Sequence, residues 1–188
     1  MSDIVDLHRR ACDEFDTRVR AVGDDQWNVG TPCTEWDVRA LVNHLVNEDK
    51  WTAPLLGGST IEEVGDRFDG DLLGDDPKGA WTAAADEAKA AVGEEGAMQR
   101  TVHVSWGEIS GEEYANQLFT DHLIHAWDLA RAIGADDKLD PELVEACYAI
   151  AKPQEDMFKA SGYFGDRIEP PEDADMQTKL LAVFGRTP

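Results

Sequence analysis

The chain has 188 residues and a mass of 20.7 kDa, the size of one domain with room for a substantial core. Asp and Glu outnumber Lys and Arg by 39 to 17, giving a net charge of −22. That balance excludes a general phosphate-backbone binder, which needs basic side chains to displace counterions, and it disfavours an anionic membrane surface. Neither a nucleic acid nor a membrane is therefore expected as a partner. Hydrophobic content of 42% with six Trp excludes a disordered chain. No apolar run approaches the ~20 residues that a bilayer requires. The opening MSDIVDLHRR turns charged at once and lacks the apolar stretch of a signal peptide. Cys12, Cys33 and Cys147 are odd in number and widely spaced, which suits a reducing cytoplasmic compartment better than a disulfide framework.

Helical periodicity dominates. Ile4, Leu7, Ala11, Phe15, Val19 and Val22 recur at three- and four-residue steps and predict a first helix over 3–22, closed by Gly23. After the loop GDDQWNVGTP, Thr34 is the expected cap of a second helix, with Glu35 and Asp37 in its first turn. Val38, Leu41, Val42 and Leu45 give its apolar face, which runs to about Trp51 before Pro54 and Gly57–Gly58 break it. Residues 57–77 read as a long Gly/Asp-rich loop with a turn of helix near 61–68, either a lid or a plain connection. Pro77 opens an Ala-rich third helix to Val92. In RTVHVSW the alternation of Val102, Val104 and Trp106 predicts a strand, with Gly107 turning into a return at 108–110. A long fourth helix follows from Ser110 or Gly111 to Ile133, stopped by Gly134. Asp140–Pro141 starts a fifth that runs towards Lys159 across Pro153, and MQTKLLAVF ends the chain in a short amphipathic stretch. The expected architecture is one all-α domain over 1–188, a bundle of four or five helices with a minor β-hairpin.

Chemistry concentrates in DHLIHAWD at 121–128. Asp121 and His125 stand one turn apart on one helix face, and Asp128 follows a turn later. The row Tyr114, Leu118, Asp121, His125, Asp128 thus puts polar groups where a core stripe belongs, and buried polar groups need partners. The second helix repeats the anomaly, with Leu41, His44 and Trp51 on one face and Glu48 a turn beyond His44. His44, Asp121 and His125 make a two-imidazole, one-carboxylate set that leaves positions open on a metal, as in catalytic zinc sites or a non-haem iron triad. The competing reading is of hydrogen-bonded core histidines and a surface ion pair. Glu48 reads either as a general base beside the metal or as a solvated carboxylate. Asp128 either orients His125 or pairs with Arg131. Cys33, just before the expected cap, is either a thiol activated by the helix N-terminus or a packed, inert one. His122 reads as a hydrogen-bonding or solvent-facing residue, with ligation in place of Asp121 as the alternative, and His8 reads as ordinary helix surface. His103 is expected to face away from the core. Trp36, Trp51 and Trp127 read as core anchors, with Trp127 close enough to shape a pocket.

TPCTEWDVRALVNHLV at 31–46, DHLIHAWDLARAIG at 121–134 and the terminal LLAVFGRTP resemble a family of small bacterial metal-binding proteins. That family groups with the DinB-like four-helix bundles and with the N-terminal domain of mycothiol-dependent maleylpyruvate isomerase. The resemblance implies that His44, Asp121 and His125 hold a divalent metal, zinc or nickel with iron as an alternative, and that mycothiol is the thiol cosubstrate. It implies a thiol S-transferase or isomerase acting on an electrophilic small molecule. A metal-dependent hydrolase using Glu48 and a non-catalytic metal-binding, stress-associated protein are the other readings. Asp121 departs from the glutamate that the isomerase carries at that place, and the chain is shorter than that enzyme, so maleylpyruvate isomerisation itself is not implied. Bundles of this kind also self-associate, which leaves a homodimer open.

Overall fold

The structure, a computed structural model, describes residues 3–155 and 168–187. It consists of two compact units, Met1–Asp136 and Asp137–Pro188. The first contains α1 (Ile4–Ala21), α2 (Val38–Leu56), the single turn α3 (Ile61–Val64), α4 (Pro77–Val92), the hairpin β1 (Thr101–Val104) and β2 (Gly107–Ser110), and α5 (Gly111–Ile133). The all-α bundle with a small hairpin is thus as expected. α1 packs chiefly along α5 and α2 chiefly along α4, while the seam between α2 and α5 is sparser. That seam is where the two helices place their imidazoles and carboxylates.

Aspartates begin most of the helices, which is one use of the acidic composition. Asp3, Asp37, Asp76, Asp140 and Asp175 each accept a backbone N–H from the first turn that follows, and Ser110 does the same for α5. Each such cap satisfies a donor that the helix itself leaves open. The cap of α2 is Asp37, three residues later than the expected Thr34, because residues 33–36 close a turn of their own in which the Trp36 N–H donates to Cys33 O. α2 also continues past Pro54 to Leu56. A proline in the last turn forfeits only its own N–H bond there.

The interior of this unit is apolar and fully enclosed around Phe15, Leu41, Leu45, Trp81, Phe119 and Leu123. β1 pairs antiparallel with β2, Val102 opposite Ile109 and His103 opposite Glu108. Val102 faces the core and half-buried His103 lies within 3.5 Å of Glu108. Trp106 does not continue the strand: it sits in the hairpin turn, 70% exposed, because the pairing ends at Val104 and Gly107.

The second unit contains α6 (Pro141–Ala151), which passes through a turn of 3₁₀ helix at Lys152–Gln154 where Pro153 was expected to interrupt it, and α7 (Met176–Val183). The expected extension of the fifth helix to Lys159 lies outside the described residues. Gln177 ties this unit together, its amide accepting from Leu139 N and donating to Asp137 O. No helix among the described residues is long and apolar enough to cross a membrane.

Gly111, the first residue of α5, abuts the 3₁₀ turn at Ala97–Gln99. A Cβ there would stand 2.0 Å from Ala97 O and 3.1 Å from Met98 Cα, both backbone atoms. Gly111→Ala is therefore expected to destabilise by about 1–3 kcal/mol in urea titration. Gly30→Ala, where a Cβ meets nothing within 4 Å, is expected to stay within about 1 kcal/mol of the parent.

Candidate metal centre

Across the α2–α5 seam, one carboxylate faces two imidazoles. Asp121 Oδ2 is 2.9 Å from His44 Nε2, and Asp121 Oδ1 is 3.3 Å from His125 Nε2. The two rings meet edge to face with centroids 5.3 Å apart. His125 is buried, whereas His44 and Asp121 remain partly exposed. The three residues singled out in sequence are brought together, with one donor atom from each within 4.8 Å of the others.

The charges are mutually dependent. Burial would push the Asp121 carboxyl up, but the His44 and His125 charges beside it hold it well below the usual carboxylate value. Burial would likewise push the His125 imidazole down. The Asp121 charge, with hydrogen bonds to Asp121, Asp128 and Cys33, carries it well above 6.5 instead. His125 Nδ1 donates to the fully buried Asp128 at 2.9 Å, which leaves Nε2 as the nitrogen facing Asp121. Asp128 thus orients His125, and the Cys33 thiol donates to the same Asp128 oxygen at 3.2 Å.

Cys33 arrives by way of its loop and not by a helix N-terminus. Thr31 Oγ1 accepts from Cys33 N and donates to Trp36 O, while Val38 N and Arg39 N donate to Val29 O and Trp27 O. This closed loop carries Cys33 Sγ to 3.9 Å from His125 Nδ1 and lays Trp36 against His44, centroids 4.6 Å apart and planes 33° apart. Trp36 is accordingly a wall of the site and not a core anchor, and Trp51 is only half-buried, against Phe68, whereas Trp127 is buried. Sequence reasoning had a cue for Cys33 and Trp36 in the density of turn-forming residues around them, but no cue for their target.

The 57–77 segment borders the site and is pinned to it. Asn43 and Asn47, a turn apart on α2, donate to Gly70 O and Phe68 O, and Arg39 binds the Asp71 carboxylate. Trp36, Asn43, His44, Asn47 and Phe68 then line an open groove of about 340 Å³. Glu48, one turn beyond His44, is half-buried and not a freely solvated carboxylate. Burial, then the charge of Asp121, pushes its carboxyl up.

A second polar cluster lies on another side of α5. His8, expected at the surface, is 0% exposed, as are His122 and Asp49. Burial, with the His122 and Lys89 charges, pushes the His8 imidazole down to about 3, and burial pushes the Cys12 thiol up. Burial pushes His122 down as well, but Cys12 and Asp49 outweigh it and hold His122 well above 6.5. The face was misread because α1 shows the same polar spacing whether His8 points to water or to α5. Asp49 fell in the Val42, Val46, Asp49 row, the one sequence signal that could have found it.

The profile of the mycothiol maleylpyruvate isomerase N-terminal domain matches residues 8–130, from within α1 to within α5. This chain belongs to that family. Two uncharacterized proteins of Mycobacterium tuberculosis, Rv0738 and MT0763, are each 34% identical over 190 residues, covering 96% of this chain and 96% of their own length. Among solved structures, a histidine-to-alanine mutant of mycothiol-dependent maleylpyruvate isomerase superposes with a TM-score of 0.66 at 14% identity. The match covers 88% of this chain and 77% of that one. At that identity the likeness establishes the fold.

Asp128→Ala is expected to weaken metal binding by about 10- to 100-fold in competition with a chromophoric chelator, since the partner that sets the His125 ring is gone. In chelator-treated protein, the stability that protonated His125 contributes is fully present below 6.5 and is lost as pH rises through its raised value. The urea midpoint should therefore fall on the alkaline side of 6.5. His125→Gln should flatten that fall without abolishing it, because His122 titrates with the same sign.

Proposed function

We propose that this protein is a cytoplasmic metal-dependent enzyme that uses a low-molecular-weight thiol, mycothiol, in an S-transferase or isomerase reaction on a small electrophile. The observation that carries the reading is the carboxylate of Asp121 held between His44 Nε2 and His125 Nε2, with His44 also lining an open groove. Membership of the mycothiol maleylpyruvate isomerase N-terminal domain family supports the choice of thiol.

The donor set suits a divalent metal. His44, Asp121 and His125 each offer one donor atom within 4.8 Å of the others, so the three side chains would hold a divalent ion with little rearrangement. Two neutral imidazoles and one carboxylate fit zinc or nickel, and equally iron, and leave coordination positions for a small molecule. Such an ion supplies a Lewis acid that lowers the pKa of a thiol brought to it. The chain's own residues do the rest. His44, Asp121 and His125 fix the position, Asp128 keeps the His125 lone pair directed inward, and Trp36 holds the His44 ring plane. Asn43, Asn47 and Phe68 wall the groove that admits thiol and electrophile.

Glu48 supports a second reading, metal-assisted hydrolysis. A half-buried carboxyl that burial and the charge of Asp121 push up is better suited than a solvated one to hold and return a proton.

Elemental analysis of untagged protein purified without chelator, beside His44→Ala and His125→Ala, tests the site. Near-stoichiometric zinc, nickel or iron in the parent and loss in both variants is expected. The loaded parent should then consume mycothiol with an electrophile, and the two variants should not. A loaded parent that neither binds mycothiol nor consumes it overturns the thiol reading. Ester or amide turnover that drops about 100-fold or more in Glu48→Gln, with its metal retained, selects hydrolysis instead. A metal that raises melting temperature but exchanges no ligand leaves a purely structural, non-catalytic role.

A further inference from the structure

The second cluster gathers three potential donors from two helices inside the bundle, with the carboxylate of Asp49 from a third helix beside one of them, 3.1 Å from His122 Nε2. His8 and Cys12 are one turn apart on α1, Asp49 comes from α2 and His122 from α5. One donor atom each of His8, Cys12 and His122 lies within 4.8 Å of the others. We infer that His8, Cys12 and His122 form a second, enclosed binding site for a zinc-type divalent cation, with Asp49 drawn in from beside His122 as the fourth donor, separate from the groove and structural in role.

Separations between the donors support this. Zn–S of about 2.3 Å and Zn–N of about 2.05 Å at a tetrahedral angle put sulfur and nitrogen about 3.6 Å apart, and nitrogen and oxygen about 3.3 Å apart. Cys12 Sγ stands 3.6 Å from His8 Nε2, and His122 Nε2 stands 3.1 Å from Asp49 Oδ1.

Hydrogen bonding points the same way. Among the described residues, His122 Nε2 and both Asp49 oxygens lack a hydrogen-bond partner of acceptable geometry, although His122 Nε2 and Asp49 Oδ1 are close. Two atoms that are near each other but poorly aligned as donor and acceptor behave as neighbouring ligands of a common ion. His122 Nδ1 meanwhile donates to Leu118 O at 2.7 Å, so that in the neutral ring the proton sits there and Nε2 is the nitrogen left for a metal. A ligating histidine typically anchors its other nitrogen in this way.

Charge gives an independent argument. His122, Asp49 and His8 are 0% exposed, with Phe15 and Trp81 against the His122 ring. In such surroundings an unbalanced charge is costly. One thiolate, one carboxylate and two neutral imidazoles around a divalent ion sum to zero, and all four coordination positions are filled. The alternative is a metal-free cluster in which a protonated His122 pairs with Asp49 while Cys12 stays a thiol. The two states differ in whether Cys12 is a ligand.

The experiment exploits that difference. Protein carrying Cys33→Ser and Cys147→Ala, with Cys12 the only thiol left, is unfolded and refolded with Co(II), because the enclosed site fills as the helices close. After desalting, a near-ultraviolet thiolate-to-cobalt charge-transfer band is expected, and it should disappear in the same protein with His122→Gln. Folded protein without that band overturns the inference. A second measurement leaves all three cysteines in place. The His44→Ala, His125→Ala chain refolded with zinc should retain about one ion after native-state dialysis against EDTA. Retention of none overturns the inference as well. Neither result depends on the groove site, whose ligands are absent from the second protein and whose failure would leave this signal intact.

Discussion

The interior face of α5 carries the constraint on which the molecule turns. Over 23 residues this helix buries Leu118, Phe119, Leu123, Trp127 and Leu129 in the manner of any bundle helix, but it also buries His122, His125 and Asp128. An imidazole or carboxylate removed from water needs a partner of matching polarity, and the helix backbone cannot supply one for each. Much of the surrounding structure answers that need. α2 brings His44 to Asp121 and Asp49 to His122, α1 brings His8 and Cys12, and the loop before α2 brings Cys33 to Asp128.

These answers fall on different sides of one helix and have different chemical characters. His125, Asp121 and His44 meet across the sparse α2–α5 seam, and His44 also lines the groove beside Trp36. On the proposed function, a three-donor set there would keep room for an exchangeable ligand. His122 and its neighbours sit deeper, wholly enclosed, and a four-donor set there has no room for substrate. One helix thus carries a partly exposed polar cluster shared with α2 and an enclosed one shared with α1 and α2.

Ordering around the open centre depends on short polar ties more than on apolar packing. Thr31 closes the Cys33–Trp36 turn, and Asn43 and Asn47 hold the backbone at 68–70. Each tie satisfies a backbone group that a loop over a polar site would otherwise leave open, and ring contacts of Trp36 with His44 and of Phe68 with Trp51 complete the walls of the groove.

Helices α1, α4 and α5 were readable from the chain because their determinants are local. The three- and four-residue apolar rows, Pro77 at a first turn, Ser110 as a cap and Gly134 in a left-handed conformation all act within a few residues of themselves. The Asp121–His125 spacing was readable for the same reason, since one helical turn fixes which side chains share a face. Sequence alone did not decide which side of α1 meets α5, so His8 read as surface, nor that Asp49 turns inward, nor where the loop sets Cys33 and Trp36. Those outcomes depend on pairings between residues dozens of positions apart, whose free energies come from enclosing particular polar groups together. Local periodicity specifies that a face exists, and only the packed bundle specifies what that face meets.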